Sequence, residues 1–218
     1  MRQGLWFLWV LSLAVSLVAW LYLEISRVRN RRFQTRRPVT GCELARQILD
    51  RHQFHRTSIK PVPLKQRRKT GFFVDQLVLA ESVYYGNRLN DLAEALRETV
   101  GHVKVSPSLV PNDLRTAGWR VFGAAILLSW GLILGGVLWS SWGWLISLGQ
   151  FLFISAFFWA LSSLGKEWEI AERAISEMKG MELGTDERIR MKQLLKAMRW
   201  TPLAELFSLL FEKWPVKI

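Results

Sequence analysis

The chain has 218 residues, half of them hydrophobic, and combines a net charge of +12 with 12 tryptophans and one cysteine. The single cysteine, Cys42, excludes a disulfide framework and a metal site built from several thiolates. The basic excess is compatible with nucleic acid, but no nucleic-acid recognition motif is present, so anionic lipid is the better explanation for the arginines.

The uncharged segments predict three transmembrane helices. No charged residue occurs from Gln3 to Leu23, and none occurs in the 45 residues from 121 to 165. A helix needs about 20 apolar residues to cross a bilayer core. The first segment therefore predicts one span, and the second predicts two spans with a turn between Trp139 and Trp144. The first segment lacks a small-residue cleavage site, which favours an uncleaved anchor over a signal peptide.

The distribution of arginine predicts the orientation. Six arginines follow the first span, only Arg2 precedes it, and the turn of the hairpin carries no charge. Positive residues stay on the cytoplasmic side, which predicts a protein of the plasma (inner) membrane with its N-terminus outside. The predicted interface residues are these arginines and three tryptophans: Arg27, Arg29, Arg31, Arg32, Arg36, Arg37, Trp20, Trp119 and Trp168.

The segment between the first span and the hairpin predicts a small α+β unit. "TGCELARQILD" begins with a capping box in which Thr40 caps the helix and Glu43 reaches back to it. "SIKPVP" and "GFFVDQLVLA" have the composition of short strands, and the prolines suit a sheet edge. A further helix is predicted to begin at Asn90 as its N-cap. Its apolar stripe consists of Leu92, Leu96, Val100 and Val103.

The tail after the hairpin is predicted to be helical. A charged helix continues through "GKEWEIAERA", a second helix begins at a Thr185 cap, and "RWTPLAELFSLLFEKW" has too few apolar residues to cross a bilayer and is expected at the interface. The predicted organisation is mainly α. It consists of an N-terminal anchor (1–25), a cytoplasmic α+β region (26–118), a transmembrane hairpin (119–165) and a cytoplasmic helical tail (166–218).

The order of these motifs along the chain resembles a known family. "TGCELARQILD", then "SVYYG", then a helix ending in Gly-His, then a membrane hairpin followed by "EWEIAERA", is similar to the bacterial neutral zinc metallopeptidases, which are small integral membrane proteins. The resemblance covers about residues 38 to 211. It implies a zincin-like fold for the α+β region.

The resemblance also implies where a metal site would lie. Members of the family carry His-Glu-x-Gly-His on the helix and a glutamate after the hairpin, which look like two zinc-binding histidines, a general base and a third ligand. In this chain His102 corresponds to the second histidine and Glu167 to the distal glutamate. Glu98 stands at the first histidine and Thr99 at the base.

These two replacements have different chemical consequences. Glu98 and His102 are four residues apart and share a helix face, so Glu98 could still offer a carboxylate to a metal. Thr99 cannot take a proton from metal-bound water, because its hydroxyl has no pKa near 7. We therefore expect no catalytic residue and no resident cofactor, with zinc as the alternative. The possible vestigial metal set is Glu98, His102 and Glu167, which we expect to converge as a polar cluster with Arg97 or Lys166 balancing its charge.

Three functions remain open from the sequence. The favoured hypothesis is a pseudoprotease that binds another membrane protein or complex as an accessory subunit. The second is an active membrane-bound zinc endopeptidase with an altered metal site, for which Glu169 is the candidate base. The third is a protein that handles lipid or assists assembly, which the arginine cluster and the tryptophans would suit.

Overall fold

The computed structural model describes residues 2–35, 39–63, 76–105, 112–139, 142–181 and 183–211 and is mainly helical. A two-stranded sheet accompanies the helices. In chain order the elements are α1 (Arg2–Asn30), α2 (Gly41–Arg51), β1 (Ser58–Val62), β2 (Gln76–Ala80), α3 (Glu81–Tyr84), α4 (Leu89–Val105), α5 (Asn112–Leu138), α6 (Trp144–Glu177), a 3-10 turn (Met178–Gly180), α7 (Thr185–Met198) and α8 (Thr201–Phe211).

The chain divides into two compact units. The first consists of residues 1–24, 117–165 and 200–218, and the second consists of residues 25–116 and 166–199. Each unit has its own apolar cluster of buried side chains.

Helices α1, α5, α6 and α8 pack together in the first unit. Their shared cluster of buried residues contains Ala19, Phe122, Ile126, Ala156, Ala160, Leu203 and Leu206. Glycine brings α5 and α6 close, because a Cβ on Gly149 would lie 2.6 Å from the carbonyl oxygen of Ser129. The outward side chains are also large and apolar, among them Phe7, Val18 and Phe151. Helices that are apolar inside and outside are typical of a lipid environment.

Two helices are long and apolar enough to cross a membrane, one over Gly4–Asn30 and the other over Trp144–Gly180. The described apolar part of the remaining predicted span, Phe122–Leu138, is shorter than the length a span requires. The structure thus supports two of the three predicted spans, and the third stays a prediction. Helix α8 buries Leu203 and Leu206 against the other helices of its unit, and its location at the membrane interface also stays a prediction.

The second unit contains the predicted α+β elements. The capping box of α2 is confirmed: the Glu43 backbone N–H donates to Thr40 Oγ1 at 3.3 Å, and the Thr40 N–H donates to Glu43 Oε2 at 2.8 Å. Strands form within both predicted segments and pair in parallel, from Ser58 opposite Gln76 to Val62 opposite Ala80. Residues 71–75 of the second predicted strand lie outside the described residues. The cluster beneath the sheet contains Ala45, Leu49, Leu77, Leu79, Ala80, Val83 and Ala95.

The two motifs that carried the family resemblance meet in this unit. The backbone N–H of Gly41, in "TGCELARQILD", donates to the carbonyl oxygen of Gly86, the last residue of "SVYYG", at 3.0 Å. A Cβ on Gly41 would lie 2.1 Å from the carbonyl oxygen of Val83. These motif residues therefore hold the start of α2 against α3 and the turn that follows it.

Two predicted helix caps differ from the structure. Helix α4 begins at Leu89, and Asn90 lies inside its first turn. The Asn90 side chain instead donates its Nδ2 to the carbonyl oxygen of Arg27 at 2.8 Å, so a contact distant in sequence outweighs the local cap preference. Helix α7 is capped by Gly184, whose N–H donates to Glu187 Oε2 at 2.9 Å, and Thr185 is its first residue.

Candidate functional site

The predicted site is occupied by an arginine held between two glutamates. Arg97, on α4, donates from Nε and Nη2 to one oxygen of Glu167, on α6, at 3.1 and 2.7 Å. Its Nη1 donates to Glu98 Oε1 at 3.5 Å. The Arg97 and Glu167 side chains are only 17% and 12% exposed. The arginine thus connects the two carboxylates that the sequence resemblance matched to the first and third metal ligands.

The surroundings keep this guanidinium charged. Burial disfavours the charged form of Arg97, but the attraction of Glu167 and then of Glu98 outweighs that effect and raises the pKa of Arg97 above its ordinary value. An opposite charge within about 4–6 Å favours the ionised form of both partners. The site therefore contains a permanent cation supplied by the protein itself.

His102 lies on the same helix as Arg97 and is buried. Its ring packs edge-on against Phe54, with the ring centroids 6.4 Å apart. The preceding residue, Gly101, faces α6, since a Cβ there would lie at an ordinary van der Waals distance of 3.7 Å from Ile170 Cδ1. The structure thus brings Glu98 and Glu167 together through Arg97, as expected for the balancing charge, and places His102 in an aromatic setting.

Thr99, the position that the sequence resemblance matched to the base, is fully buried. Its Oγ1 donates to the carbonyl oxygen of Ala95, one turn earlier, at 2.7 Å. A hydroxyl that is removed from solvent and bonded to its own helix has no access to a water molecule.

Glu169, the alternative base, is engaged with two cations. Its Oε2 accepts from Lys104, and its Oε1 lies 3.3 Å from Arg173 Nη2. A carboxylate whose charge is balanced in this way is a weak proton acceptor.

The donor set does not fit zinc. Among the residues that the structure describes, no group of three or more His, Cys, Asp or Glu side chains is arranged to hold a metal ion. Zinc requires carboxylate or imidazole lone pairs that are free to face one point. The Glu167 carboxylate is already bound by two guanidinium nitrogens, and the charge of Arg97 would repel a divalent cation.

The predicted interface residues have diverse environments. Arg27 and Arg29 lie in the last turn of α1, and Arg31 and Arg32 follow it, exposed. The Trp20 ring packs on Phe207 with centroids 5.6 Å apart, and the Arg199 guanidinium lies 4.7 Å from the centre of the Trp168 ring. Arg36, Arg37 and the Trp119 side chain lie outside the described residues.

No pattern in the sequence predicts the contact between the end of α2 and the end of α6. Glu177, at the end of α6, accepts from Arg51 Nη1 and pairs with His52 Nε2, both at 2.9 Å. The paired residues are about 125 positions apart in the chain, so neither helical periodicity nor a local motif could have joined them.

Comparison with known proteins identifies the family of this chain. Residues 5–214 match the family described as "Putative neutral zinc metallopeptidase". Neither the search of curated proteins nor the search of solved structures finds a match. The resemblance inferred from the order of the motifs is therefore confirmed over nearly the whole chain.

Proposed function

The chain belongs to the putative neutral zinc metallopeptidase family, and from that premise we propose that it is a membrane-anchored member without peptidase activity. We further propose that it acts as a binding or accessory subunit of another membrane protein or complex. The observation that carries the proposal is the ion pair of Arg97 with Glu167, because it engages a carboxylate that the family resemblance assigns to a metal ligand.

The chemistry of hydrolysis supports the loss of activity. A zinc peptidase needs a metal that lowers the pKa of a bound water and a base that takes its proton. Here a guanidinium takes the place of the metal as the partner of Glu167, and the base position holds the buried hydroxyl of Thr99.

The retained scaffold supports a binding role. The motif residues that remain, Gly41 and Gly86, form the hydrogen bond that joins α2 to the turn after α3. A protein that no longer catalyses but still binds must keep the residues that maintain its surface shape. The replaced residues, by contrast, are the ones that only catalysis requires.

The location is part of the same proposal. Two helices could cross a membrane, and the arginines lie almost entirely on one side of the first uncharged segment. We infer a location in the plasma (inner) membrane with the N-terminus outside, three spans, and residues 26–118 and 166–218 in the cytoplasm.

Metal content and proteolysis of the detergent-purified chain test the proposal. After equilibration with zinc and desalting, we expect far less than one zinc per chain by elemental analysis, and no zinc-dependent cleavage of casein. A variant that combines Arg97→Leu, Glu98→His and Thr99→Glu should take up more zinc than the native chain. About one zinc per native chain, with casein cleavage that a chelator and His102→Ala both abolish, would establish the endopeptidase instead.

The accessory role has a separate test. Cross-linking in intact cells followed by purification should yield a membrane protein in a fixed ratio to this chain. If the chain instead purifies alone, with anionic lipid as its only companion, the lipid-handling function is favoured.

A further inference from the structure

A second candidate site lies where α1 ends. The structure has a cavity of about 530 Å³ there, lined by Val28, Arg31, Arg32, Gln34 and Arg88. Three of these five residues are arginines, and none is acidic. Cavities of about 300–1,000 Å³ are typical of small-ligand sites. The two sides of the cavity come from residues 28–34 and from the residue that precedes α4, which are distant in sequence.

Hydrogen bonds between these two segments fix the cavity. Residues 27–35 and 87–90 are joined by an isolated antiparallel bridge and three further bonds: Gln34 with Arg88, Leu89 N–H to Phe33 O at 3.0 Å, Asn90 Nδ2 to Arg27 O at 2.8 Å, and Thr35 Oγ1 to Asn87 O at 3.3 Å. The Arg190 guanidinium also lies 3.8 Å from the centre of the Phe33 ring. Hydrogen bonds within the protein thus hold the backbone segments that carry Arg31, Arg32 and Arg88.

The positive charge of the cavity is incompletely compensated. Within the part of the chain that the structure describes, the side chains of Arg31, Arg32 and Arg88 form no salt bridge. Asp91 is close to Arg88: burial raises the pKa of the Asp91 carboxyl, the charge of Arg88 opposes that effect, and the charge of Glu94 adds to it. The three guanidiniums of the cavity repel one another. Binding of an anion relieves that repulsion and is therefore favoured.

The surface next to the cavity is apolar. On α1, Ile25 and Val28 are 64% and 59% exposed, and Val28 also lines the cavity. Both lie within five residues of the last residue of the uncharged first segment. An apolar strip leading to a cluster of arginines matches the chemistry of a phospholipid, which joins acyl chains to a phosphate.

We propose that this cavity binds the phosphate group of an anionic ligand through Arg31, Arg32 and Arg88. The guanidinium fork forms paired hydrogen bonds with phosphate oxygens, which a lysine cannot reproduce. The adjoining apolar strip favours a phospholipid headgroup as the source of that phosphate over a small soluble phosphate. The site is independent of peptidase activity, since none of its residues belongs to the Arg97 ion pair.

Native mass spectrometry of the full chain in neutral detergent tests the site. Phosphatidylglycerol, phosphatidylcholine and sn-glycerol 3-phosphate serve as probes. We expect one tightly retained phosphatidylglycerol per chain. The combined variant Arg31→Gln, Arg32→Gln, Arg88→Gln should weaken its binding at least about tenfold, because each charge-assisted bond that is lost is among the stronger ones in proteins.

The matched control removes the same charge elsewhere in the second unit. Arg56→Gln, Lys60→Gln, Lys196→Gln changes three exposed residues outside the cavity and should bind the first phosphatidylglycerol as the native chain does. An equal loss in both variants would overturn the site, because it would show attraction by net charge alone. An unchanged affinity in the cavity variant would overturn it as well.

Two further measurements do not depend on how the triple variant folds. Phosphatidylglycerol should raise the melting temperature of the native chain, since a ligand that binds only the folded state stabilises it. Arg88→Lys should weaken binding less than Arg88→Gln, and Asp91→Asn should strengthen it. No shift in melting temperature would contradict the proposal. If sn-glycerol 3-phosphate binds as tightly as the lipid, the ligand is a soluble phosphate, whereas displacement only by lipid identifies the headgroup.

Discussion

At the scale of single residues, Arg97 is the cation that pairs with Glu167 and Glu98. A metal ion binds reversibly and offers an open position to water, whereas a guanidinium is covalently part of the chain and acts only as a hydrogen-bond donor. If the proposed function is right, the contact of Arg97 with Glu167 joins α4 to α6 without offering a position for water. The ion pair should act as a structural cross-link.

This cross-link predicts a loss of stability on truncation. Arg97→Met should destabilise the folded state by about 3 kcal/mol, because it leaves the largely buried Glu167 carboxylate without its cation. Chemical unfolding of the detergent-purified chain, followed by circular dichroism, measures the change. Arg97→Lys keeps the charge but loses the two-nitrogen contact, and it should destabilise less.

A double substitution distinguishes the energy of the Arg97–Glu167 ion pair from the effect of losing the Arg97 side chain. Arg97→Met combined with Glu167→Met should be markedly more stable than Arg97→Met alone, since two apolar side chains leave no buried charge. Arg173→Ala, which breaks an exposed pair with Glu169 one turn away on the same helix, should change stability little. Strictly additive effects of the two methionine substitutions would contradict the coupling of Arg97 to Glu167.

Asp91 predicts a dependence of stability on pH. Burial raises the pKa of its carboxyl despite the opposing effect of Arg88, so the folded state binds this proton more tightly than the unfolded state. The contribution of Asp91 is therefore most favourable below the unfolded pKa of about 3.9 and is lost as pH rises through the folded pKa. Asp91→Asn should remove this part of the pH dependence, so the variant gains stability relative to the native chain as pH rises from about 3.5 to 7. Unfolding curves of both proteins at both pH values measure the difference in stability. If Asp91→Asn instead gains stability relative to the native chain on acidification, the pKa of Asp91 is shifted in the opposite direction.

At the scale of elements, two glycines predict opposite outcomes. Gly41→Ala places a Cβ 2.1 Å from the Val83 carbonyl oxygen, so α2 must move away from α3 and lose its bond to Gly86. Overpacking of this kind costs about 1–3 kcal/mol. Gly101→Ala, in contrast, places a Cβ 3.7 Å from Ile170 Cδ1, an ordinary contact, and gains up to about 1 kcal/mol of helix propensity.

Melting temperatures of the two variants in the same detergent check this contrast. Gly41→Ala should melt below the native chain, and Gly101→Ala should melt at or above it. Equal destabilisation by both variants would contradict the interpretation that Gly41 is required for the close approach of α2 to the Val83 carbonyl.

Elements that depend on local patterns could be predicted from the sequence. The Thr40–Glu43 capping box lies within four residues, and both strands appeared where β-branched residues alternate with turn signals. The parallel pairing of β1 with β2 could not be derived, because it depends on how the chain returns between them. Asn90 shows the same limit: its identity favours a cap, but its actual partner is Arg27, 63 residues away.

The residues of the two candidate sites also differ in whether they could be predicted from the sequence. The positions Glu98, Thr99, His102 and Glu167 could be chosen because the order of motifs identified the family, and Arg97 was expected from its charge. Arg88 could not be associated with Arg31 and Arg32, because nothing in "YYGNRLN" distinguishes one exposed arginine from another. The cavity exists only through the bridge between Gln34 and Arg88.

At the scale of the whole molecule, composition and topology are consistent with each other. The uncharged segments correspond to the helices of the first unit, and most of the arginines and lysines lie in the segments of the second unit. A bilayer sorts residues in this manner, because charged side chains in its core are costly and basic ones are retained on the cytoplasmic side. This sorting predicts an orientation that one cysteine can test.

The native chain carries only Cys42, in the second unit, which we expect in the cytoplasm. Ser141→Cys adds a second thiol between α5 and α6, at a position outside the described residues that we expect to face the exterior. In intact cells a membrane-impermeant maleimide should label the Ser141→Cys variant but leave the native chain unlabelled. After denaturing solubilisation both should react, with two labels on the variant and one on the native chain, which shows that Cys42 itself is reactive. The reverse pattern would be labelling of Cys42 in intact cells with protection of the thiol at position 141. It would place the arginine-rich segment outside and overturn the predicted orientation, because the asymmetry of the arginines is the sole basis of that prediction.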